Sequence, residues 1–544
     1  MSGMELTRRS FLKGAAVLGG AGMVAGLAGC SPADSEAPDA GAAEAADWLG
    51  QPEEVDIDGI ATVEEAEVVV VGAGFAGQCA AASAIDHGAK SVILLEKCPT
   101  YRVGGALTGT VNSRLHKELG AEYDPAFMYQ EFMKGYNFAV DSHMVMDWAY
   151  KSGEIQDWLF DKCDAAGVDY TIYTKYPDDF DFSKEIAATY RIGVAIDTTV
   201  HDDMSAALKV LDDFILANGG VVKYSTPGNQ LIKDETGRVT GVVAKNEETG
   251  EFELYNATKG VILCTGDYGA NLDMCNAFLE PESAEMAAAG TCYAMKSDPS
   301  TAGANTGDGH KMACWAGAQM EPGVHATMAW NTTGFFNMPF LHVNKQGERF
   351  MNEALTAAFW PRQIYRQPGK VSYQITDANF AEHVAKMQPA TPDGLMTEIS
   401  EKSTEAWEQD NGWVSADSLE ELAEKLGIPA DKFVKTIERY NSLEGGIDYD
   451  EGKLGKYIIA LDTPPFKAAE IHYTMAVTLG GVLVNDHLQV RDAEGAGIPG
   501  LYAAGNTVGR RYSRYYEDIL TGNSNAFALV HGYLSGQYCM EDNA

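Results

Sequence analysis

The pattern of apolar and polar positions predicts a strand–helix–strand unit within residues 67–95. Residues 67–71 (EVVVV) form a short apolar run of β-branched side chains, which is typical of a buried parallel strand. The Ala-rich stretch after Gly77 predicts a helix, and residues 91–95 (SVILL) predict a second strand. Two strands joined by a helix in this order predict an α/β fold with parallel strands.

The turn between the first strand and the helix carries the pattern Gly72-Ala73-Gly74-Phe75-Ala76-Gly77. Gly72 permits the tight turn, Gly74 lets the backbone approach a pyrophosphate, and Gly77 lets the helix pack closely on the strand. Glu96 follows the second strand, 19 residues after Gly77, and can accept hydrogen bonds from ribose hydroxyls. The spacing therefore predicts a dinucleotide site with the cofactor-binding residues Gly72, Gly74, Ala76, Gly77, Glu96 and Lys97.

The N-terminus carries targeting signals. Residues 7–13 (TRRSFLK) form a twin-arginine export motif, and the apolar run from Gly14 to Gly29 follows it. The run ends in LAGC, which is similar to a lipobox with Cys30 as the lipidated residue; signal-peptidase cleavage near the same place is the alternative. We expect a signal over 1–30, a flexible acidic linker over 31–65, and a lipid anchor on the extracytoplasmic face of the membrane.

Composition excludes several other functions. The chain has 78 Asp and Glu against 40 Lys and Arg, a net charge of −38, and a field of that sign repels nucleic acid. Nine cysteines are scattered without any C-x-x-C pair, so we expect neither a metal site nor covalent c-type haem. An iron–sulfur cluster stays open, although the cysteine spacing does not support one.

Further segments carry a resemblance to a known family. They are residues 104–107 (GGAL), 231–242 (LIKDETGRVTGV), 259–271 (KGVILCTGDYGAN), 305–309 (NTGDG), 343–353 (VNKQGERFMNE), 498–506 (IPGLYAAGN) and 520–526 (LTGNSNA). On these segments the chain from 66 to 540 resembles the flavoproteins that include soluble fumarate reductases, urocanate reductases and 3-ketosteroid dehydrogenases. It is also similar to the exported cardiac-glycoside reductases of gut actinobacteria.

The resemblance implies FAD as the cofactor and an α/β fold. The expected architecture is a Rossmann-like, glutathione-reductase-like FAD-binding domain over 66–324 and 473–544, with an inserted α+β cap domain over 325–472. The positions that match the family's flavin loops add these cofactor-binding residues: Gly104, Gly105, Ala106, Thr265, Gly266, Asp308, Gly505, Asn506, Asn523, Ser524 and Asn525.

The chain departs from the family at the residues that handle fumarate. Ala357 stands where those reductases place an Arg that donates a proton to the substrate. Arg362, five residues further on, can take the place of that Arg only if the backbone path differs. Tyr473 replaces the second His of a His-His-Thr-Met segment, and Ile519 stands where a carboxylate-binding Arg is expected. A dicarboxylate would then lack the paired arginine N–H donors that bind its carboxylate groups, so fumarate is not the expected substrate.

A tyrosine-rich segment, residues 509–518 (GRRYSRYYED), resembles the loop of the ketosteroid-oxidising branch. A phenol can protonate a carbanion or polarise a ketone oxygen, and a nearby Arg can orient it. The candidate catalytic residues are Tyr473, Tyr516, Tyr512, Tyr515 and Arg511. The alternative is that some of these tyrosines only pack. His325 stands near a substrate-side His of the family, although a lone His is more often structural.

The expected function is the reduction of an activated C=C bond as an anaerobic electron acceptor. The family chemistry is hydride transfer from flavin N5 to the β-carbon with protonation by a Tyr, on an enone, steroid, unsaturated lactone or phenolic alkene. A membrane-bound quinol-oxidising cytochrome is the expected electron donor, since the chain has no haem motif. The alternatives are a ketosteroid-type dehydrogenase running oxidatively, a flavin electron carrier without an organic substrate, and a fumarate, urocanate or cinnamate reductase that uses Arg362.

Overall fold

The fold was analysed in a computed structural model. It describes residues 48–101, 104–105, 107–118, 120, 122–172, 194–196, 204–290, 301, 303–331, 333–334, 338–354, 359–387, 412–516 and 522–542. The twin-arginine motif, Cys30, Ala106, Ala357 and Ile519 lie outside the described residues.

Strands and helices alternate through the described chain. The strands are β1 (Thr62–Val71), β2 (Val92–Leu95), β3 (Leu107–Thr108), β4 (Tyr170–Ile172), β5 (Val194–Ile196), β6 (Gly220–Lys223), β7 (Gly228–Lys233), β8 (Val239–Lys245), β9 (Phe252–Leu263), β10 (Thr327–Asn331), β11 (Leu341–Asn344), β12 (Ser372–Thr376), β13 (Trp413–Ala416), β14 (Phe466–Glu470), β15 (Tyr473–Thr478), β16 (Gln489–Arg491) and β17 (Gly497–Ala503). The helices are α1 (Phe75–Asp86), α2 (Arg114–Glu118), α3 (Pro125–Gly135), α4 (Ser142–Ala166), α5 (Ser205–Ala217), α6 (Leu272–Phe278), α7 (Pro281–Ala288), α8 (Asp308–Trp315), α9 (Trp360–Tyr365), α10 (Phe380–Met387), α11 (Leu419–Leu426), α12 (Ala430–Asn441) and α13 (Asn523–Glu541). Short 3₁₀ turns lie at Ile57–Gly59, Pro368–Lys370, Gly455–Tyr457 and Gly505–Thr507.

The largest sheet contains the predicted strand–helix–strand unit. Its strand order is β16-β17-β9-β1-β2-β6, with the β7–β8 hairpin attached to β9. The pairs β17–β9, β9–β1, β1–β2 and β2–β6 are all parallel. Val68–Val71 are buried because both faces of the sheet are covered, which explains the continuous apolar run. The structure confirms the two predicted strands and shows that the first begins earlier, at Thr62, where it pairs with the long strand β9.

One face of this sheet is covered by α1 and α13, which pack against each other through small residues. A Cβ on Gly532 of α13 would lie 2.4 Å from the Ala76 carbonyl oxygen, and one on Gly536 would lie 2.3 Å from that of Ala80. These glycines let the two backbones come close together. The last helix is therefore held beside the glycine-rich turn that opens α1.

A second, four-stranded antiparallel sheet has the order β11-β12-β14-β13. Helices α11 and α12 cover it and form a separate core with Leu341, Tyr373, Leu422, Phe433 and Ile437. This sheet lies inside the region expected to be the inserted α+β cap, and the fold class agrees with that expectation. The exact limits of the cap at 325 and 472 stay a prediction.

A buried ion cluster stabilises the segment that resembles the family's cap motif. The Arg349 guanidinium contacts Glu353 Oε2 and Asp448 Oδ2, each at 2.9 Å, and Lys453 Nζ lies 3.4 Å from Glu353 Oε2. Two positive and two negative groups balance each other here, which is the condition for keeping charges away from water. Among the described helices, none has the length and apolar character needed to span a membrane.

Candidate active site

The carboxyl ends of the parallel strands β1, β2, β9 and β17 meet at one edge of the main sheet. Gly72, directly after β1, has φ of 103°, and a Cβ there would lie 2.3 Å from the Cys264 carbonyl oxygen. A Cβ on Gly77 would lie 1.8 Å from the Gly72 carbonyl oxygen, so both glycines are sterically required. A Cβ on Gly74 would meet nothing within 4 Å. The N-terminus of α1 therefore faces open space, which fits a pyrophosphate.

Glu96 lies at the end of β2, beside this turn, and is buried. Its Oε2 accepts a hydrogen bond from the Ala73 N–H at 2.8 Å, and its Oε1 accepts one from the Cys98 N–H at 2.9 Å. Each carboxylate oxygen keeps a second lone pair for a ribose hydroxyl. The main chain thus fixes the predicted ribose acceptor in place, and these residues fit the dinucleotide part of FAD.

Lys97 and Asp308, predicted separately as cofactor-binding residues, contact each other. Lys97 Nζ donates to the Ala304 carbonyl at 2.8 Å, to Thr306 Oγ1 at 2.9 Å and to Asp308 Oδ2 at 2.7 Å. All three ammonium hydrogens are directed at protein oxygens. The Lys97 side chain therefore links the turn before α8 to the end of β2.

The returning C-terminal segment contacts the chain around Gly105. Asn525 Nδ2 donates to the Leu107 carbonyl at 2.9 Å, and a Cβ on Gly105, at φ of 73°, would lie 2.7 Å from the same Nδ2 atom. Gly104, Gly105, Ser524 and Asn525 thus come from two distant segments that contact each other, although the residues stand more than 400 positions apart. Sequence analysis predicted both segments but not their contact.

The turns after β9 and β17 lie side by side. Thr265 Oγ1 and Thr507 Oγ1 are 3.2 Å apart, and Thr507 Oγ1 donates to the Gly266 carbonyl at 3.2 Å. Gly266 and Gly505 both have positive φ, 77° and 66°. The predicted flavin-side residues Thr265, Gly266, Gly505 and Asn506 are therefore brought together at one edge of the sheet. This edge, where β1, β2, β9 and β17 end, is called the cofactor edge below.

The tyrosine loop, defined here as residues 509–516, carries a fully buried Arg. Arg511 is 0% exposed; its Nη2 donates to Asn506 Oδ1 at 2.8 Å and its Nε donates to the Val508 carbonyl at 3.1 Å. Within the described part of the chain, Nη1 has no hydrogen-bond partner. Burial lowers the pKa of this guanidinium. Arg511 therefore holds the side chain of Asn506, one of the residues predicted to bind the cofactor.

Two predicted tyrosines of the loop donate to protein oxygens. The Tyr512 hydroxyl donates to Asn523 Oδ1 at 2.8 Å, and that of Tyr515 donates to the Gly135 carbonyl at 3.1 Å. Tyr516 is buried, and its ring centroid lies 5.2 Å from that of Tyr512. These contacts are compatible with packing, and the catalytic role expected for Tyr512, Tyr515 and Tyr516 stays a prediction.

Tyr473, the first residue of β15, lies in a different cluster. Its hydroxyl is buried and, within the described part of the chain, has no hydrogen-bond partner. Its ring packs in a cluster with Met351, Trp360, Ile364 and Ile471. Burial raises its pKa well above the usual value, and no charged group opposes this effect. The phenol is therefore neutral at pH 7.

Helix α9 contacts both Tyr473 and the tyrosine loop. Trp360 and Ile364, four residues apart and so on one face, pack in the Tyr473 cluster. Arg362 lies 5.4 Å from the centroid of the Tyr515 ring. Arg362 Nε is 3.1 Å from Glu282 Oε1, and its Nη2 donates to the Arg514 carbonyl at 2.6 Å. The five predicted catalytic residues thus do not form one contiguous group. Tyr473 packs in the cluster with α9, and the other four lie in the tyrosine loop.

His325 is held by a defined hydrogen-bond pair. Its Nε2 lies 2.8 Å from the Glu321 carbonyl oxygen, so Nε2 carries the hydrogen, and the Tyr268 hydroxyl donates to Nδ1 at 2.7 Å. Burial lowers the pKa of His325 to about 4. The ring is neutral and both nitrogens are used, which supports a structural role.

Glu321 is a residue that sequence analysis missed. It is 6% exposed, and burial raises its pKa to about 7. Its Oε2 accepts a hydrogen bond from the Arg510 N–H at 2.8 Å. No local motif marks it, because its partner lies 189 residues away in the sequence. A buried carboxyl that titrates near neutral pH is a common feature of functional sites.

Comparison with known proteins adds to this geometry. A family profile described as FAD binding domain matches residues 67–524, and a profile of the twin-arginine translocation pathway signal sequence matches residues 5–25. The chain is 27% identical over 509 residues to a vinyl phenol reductase from Lactiplantibacillus plantarum, covering 87% of this chain and 96% of that protein. A urocanate reductase from Eggerthella lenta is 27% identical over 502 residues, covering 88% of this chain and 75% of that protein.

A digoxin reductase from Eggerthella lenta is 26% identical over 563 residues, covering 93% of this chain and 92% of that protein. The fold is similar to that of a 3-ketosteroid-Δ4-(5α)-dehydrogenase from Rhodococcus jostii RHA1, with a TM-score of 0.67, 23% identity, and coverage of 88% of this chain and 97% of that chain. These findings confirm the expected resemblance, the fold class, FAD as the cofactor and export by the twin-arginine route.

Proposed function

The chain belongs to the family of FAD-binding domain proteins, and from this premise we propose that it reduces the activated C=C bond of a neutral substrate rather than of a dicarboxylate. That it is a flavin oxidoreductase acting on C=C bonds follows from the family and from its reductase relatives. The proposed substrates are a phenolic alkene, an enone, a steroid or an unsaturated lactone. The relatives are named for a vinyl phenol, for digoxin and for urocanate, so the names alone do not choose among them.

The observation that carries the proposal is the environment of Tyr473. Its hydroxyl lies among apolar and aromatic side chains, and burial alone accounts for its raised pKa. A carboxylate bound beside this phenol would need a cationic partner to offset its loss of hydration. The nearby Arg362 is already paired with Glu282. A neutral, largely apolar substrate suits this environment better than a dianion does.

The chain's own contribution to the reaction is proton delivery and the exclusion of water. FAD, when bound and reduced by the electron donor, would supply the hydride that adds to the β-carbon of the alkene. Tyr473 keeps its proton on a hydroxyl that makes no hydrogen bond to the described protein, so it can donate to the α-carbon or to the activating group. Tyr512 and Tyr515 donate to Asn523 and Gly135 instead. We therefore favour Tyr473 over the loop tyrosines as the proton donor.

The electron donor and the anchor complete the proposal. We propose that a membrane-bound quinol-oxidising cytochrome reduces the enzyme, and that lipidation of Cys30 keeps it at the extracytoplasmic face. A Cys30→Ser variant expressed in a twin-arginine-competent host should move from the membrane fraction to the soluble exported fraction. Retention of that variant in the membrane fraction would contradict the lipid anchor.

The test of the substrate class is anaerobic turnover with reduced viologen as the electron source. One panel holds neutral enones, steroids, lactones and phenolic alkenes, and the other holds fumarate, urocanate and cinnamates. Reoxidation of viologen with the neutral panel alone is the expected result. Turnover with the carboxylates would show that an arginine serves the site and would favour the carboxylate-reductase alternative. A Tyr473→Phe variant removes only the proposed proton-donating hydroxyl, so it should turn over the neutral panel more slowly than the wild type.

A further inference from the structure

Glu321 connects two segments that meet at the start of the tyrosine loop. Met320 forms an antiparallel bridge with Val482, and the Glu321 N–H donates to the Gly481 carbonyl at 2.8 Å. The carboxylate Oε2 of Glu321 then accepts the main-chain N–H of Arg510 at 2.8 Å. The buried carboxylate of Glu321 therefore binds the loop at its second residue.

Glycines allow the loop to approach this carboxylate. A Cβ on Gly509 would lie 2.8 Å from Glu321 Oε2 and 2.6 Å from the Gly481 carbonyl oxygen. A Cβ on Gly481 would lie 2.0 Å from the Thr507 carbonyl oxygen. The segments around 321, 481 and 507–509 are thus packed backbone against backbone, and a side chain at either glycine would push them apart.

Arg510 adopts a left-handed conformation, with φ of 56°, which a non-glycine residue keeps only when its surroundings hold it. Its N–H is bound by Glu321, and its carbonyl accepts the Asp141 N–H at 2.8 Å. Beyond this point Arg511 is fully buried and reaches Asn506, and Tyr512 reaches Asn523. The conformation of Arg510 therefore determines whether these two side chains reach the cofactor edge.

Charged and titratable groups surround the Glu321 carboxyl. Burial raises its pKa to about 7, while the hydrogen bond from the Arg510 N–H and the charges of Arg510 and Arg511 lower it by less. Tyr268 lies close enough for Glu321 to raise the pKa of its phenol, and His325 donates to the Glu321 carbonyl. An ionised carboxylate accepts a stronger hydrogen bond than a neutral one, so the bond to Arg510 depends on the protonation of Glu321.

We propose that Glu321 is a positioning residue of this site, and that its carboxylate, by binding the Arg510 N–H, fixes Arg511 and Tyr512 against Asn506 and Asn523. The ionised carboxylate holds the loop more firmly than the protonated one. This role goes beyond the proposed function, and only the kinetic part of its test rests on that function.

The test compares the holoenzyme with its Glu321→Gln and Glu321→Ala variants. Hydrogen–deuterium exchange of the amides in residues 510–516, expressed as protection factors from about pH 5.5 to about pH 8.5, reads the loop directly. A loop opening that breaks the Arg510 bond while Glu321 stays buried would raise its pKa further, because that bond lowers the pKa. Wild-type protection should therefore rise as pH increases through about 7, although ionisation of Glu321 costs stability against global unfolding. Glu321→Gln keeps an acceptor oxygen but cannot ionise, so its protection should not change with pH. Glu321→Ala should lose roughly tenfold or more in protection at every pH.

Glu235→Gln, a change at an exposed acid in the β7–β8 turn, is the matched control and should behave as wild type. A Glu321→Gln variant that keeps the wild-type pH dependence of loop protection would overturn the proposal. The Gln variant preserves the shape of the side chain, so it decides the matter even if Glu321→Ala does not fold.

Kinetics supply the second readout. With a substrate that turns over, kcat of the wild type should rise through about pH 7, KM should stay constant, and Glu321→Gln should lack that rise. Loop protection that follows the proposal while no neutral alkene turns over would reject the proposed function and leave the role of Glu321 intact. Loop protection that does not change with pH, together with turnover of a neutral alkene, would reject the role of Glu321 and leave the proposed function intact.

Discussion

The cofactor edge and the tyrosine region are built in different ways. At the cofactor edge, the main chain forms the site: Gly72 and Gly77 are sterically required, Gly74 faces open space, and Glu96 is held by two backbone N–H groups. In the tyrosine region, side chains form the site, and they come from β15, α9 and the loop at 509–516.

This difference explains why one region carries a readable motif and the other does not. A pyrophosphate bound by backbone N–H groups needs particular glycines within one short turn, so its requirements stand close together in the sequence. A proton donor needs only a phenol in the right surroundings, and those surroundings come from Met351, Trp360 and Ile364, which are far from Tyr473 in the chain. Five predictions test this contrast.

The largest effect is expected at Gly77. In Gly77→Ala, the new Cβ would lie 1.8 Å from the Gly72 carbonyl oxygen, so we expect loss of FAD and of the folded β1–α1 unit. Gly74→Ala places its Cβ in open space and should keep the thermal stability of the apoprotein while weakening FAD binding. Flavin content and the unfolding midpoint measure both effects. Equal apoprotein stability of the two variants would contradict the contrast.

Tyr473→Phe should lower kcat by about 10²–10⁴-fold if this phenol donates the proton. The same change should leave stability unchanged or raise it by about 1 kcal/mol, because it removes a buried hydroxyl that has no partner in the described protein. Tyr512→Phe should instead cost about 1–3 kcal/mol, because it leaves Asn523 Oδ1 without its donor. Denaturant unfolding and steady-state kinetics separate the two. A Tyr473→Phe enzyme with full activity would exclude Tyr473 as the donor.

The next effect is a pH dependence of stability. Burial raises the pKa of Glu321 from its usual 4.5 to about 7, so the folded protein binds more protons than the unfolded chain between these values. The free energy of unfolding should therefore fall as pH rises through this window, by up to about 3 kcal/mol. The difference between wild type and Glu321→Gln, measured by denaturant unfolding across pH, isolates this contribution. A difference that does not change with pH would contradict the assignment.

Lys97 and Asp308 should show a modest coupling. Both side chains are about one-third exposed, so we expect their ion pair to contribute about 0.5–1 kcal/mol to FAD binding. Titration of FAD into the apoprotein of Lys97→Met, Asp308→Asn and the double variant measures the coupling energy. Additive losses in the double variant would show that the two residues are not coupled and would contradict this prediction.

The smallest effect is expected at Arg362. Its guanidinium is already paired with Glu282, so Arg362→Gln should change turnover of a neutral alkene by less than about threefold. Lys370→Gln is a control for the loss of a positive charge from the same region, since Lys370 pairs with Glu285 at an exposed position. Loss of activity in Arg362→Gln alone would restore the carboxylate-reductase alternative.

The sequence by itself determined the parts of this protein whose requirements are local. Val68–Val71, the glycines from 72 to 77 and Glu96 predicted the strand, the turn and the ribose acceptor, because a buried parallel strand and a pyrophosphate turn restrict consecutive residues. The twin-arginine segment likewise predicted the export route. Resemblance to a family added the flavin and the returning C-terminal segment.

Only the tertiary structure decided which separated residues meet. It directs the hydroxyls of Tyr512 and Tyr515 to protein acceptors, leaves that of Tyr473 without one among the described residues, and pairs Lys97 with Asp308. It also brings the Glu321 carboxylate within hydrogen-bond distance of the Arg510 N–H, 189 positions away in the sequence. The physical reason is that burial and hydrogen bonding depend on distance in space, and residues far apart in the chain carry no local pattern that records their contact.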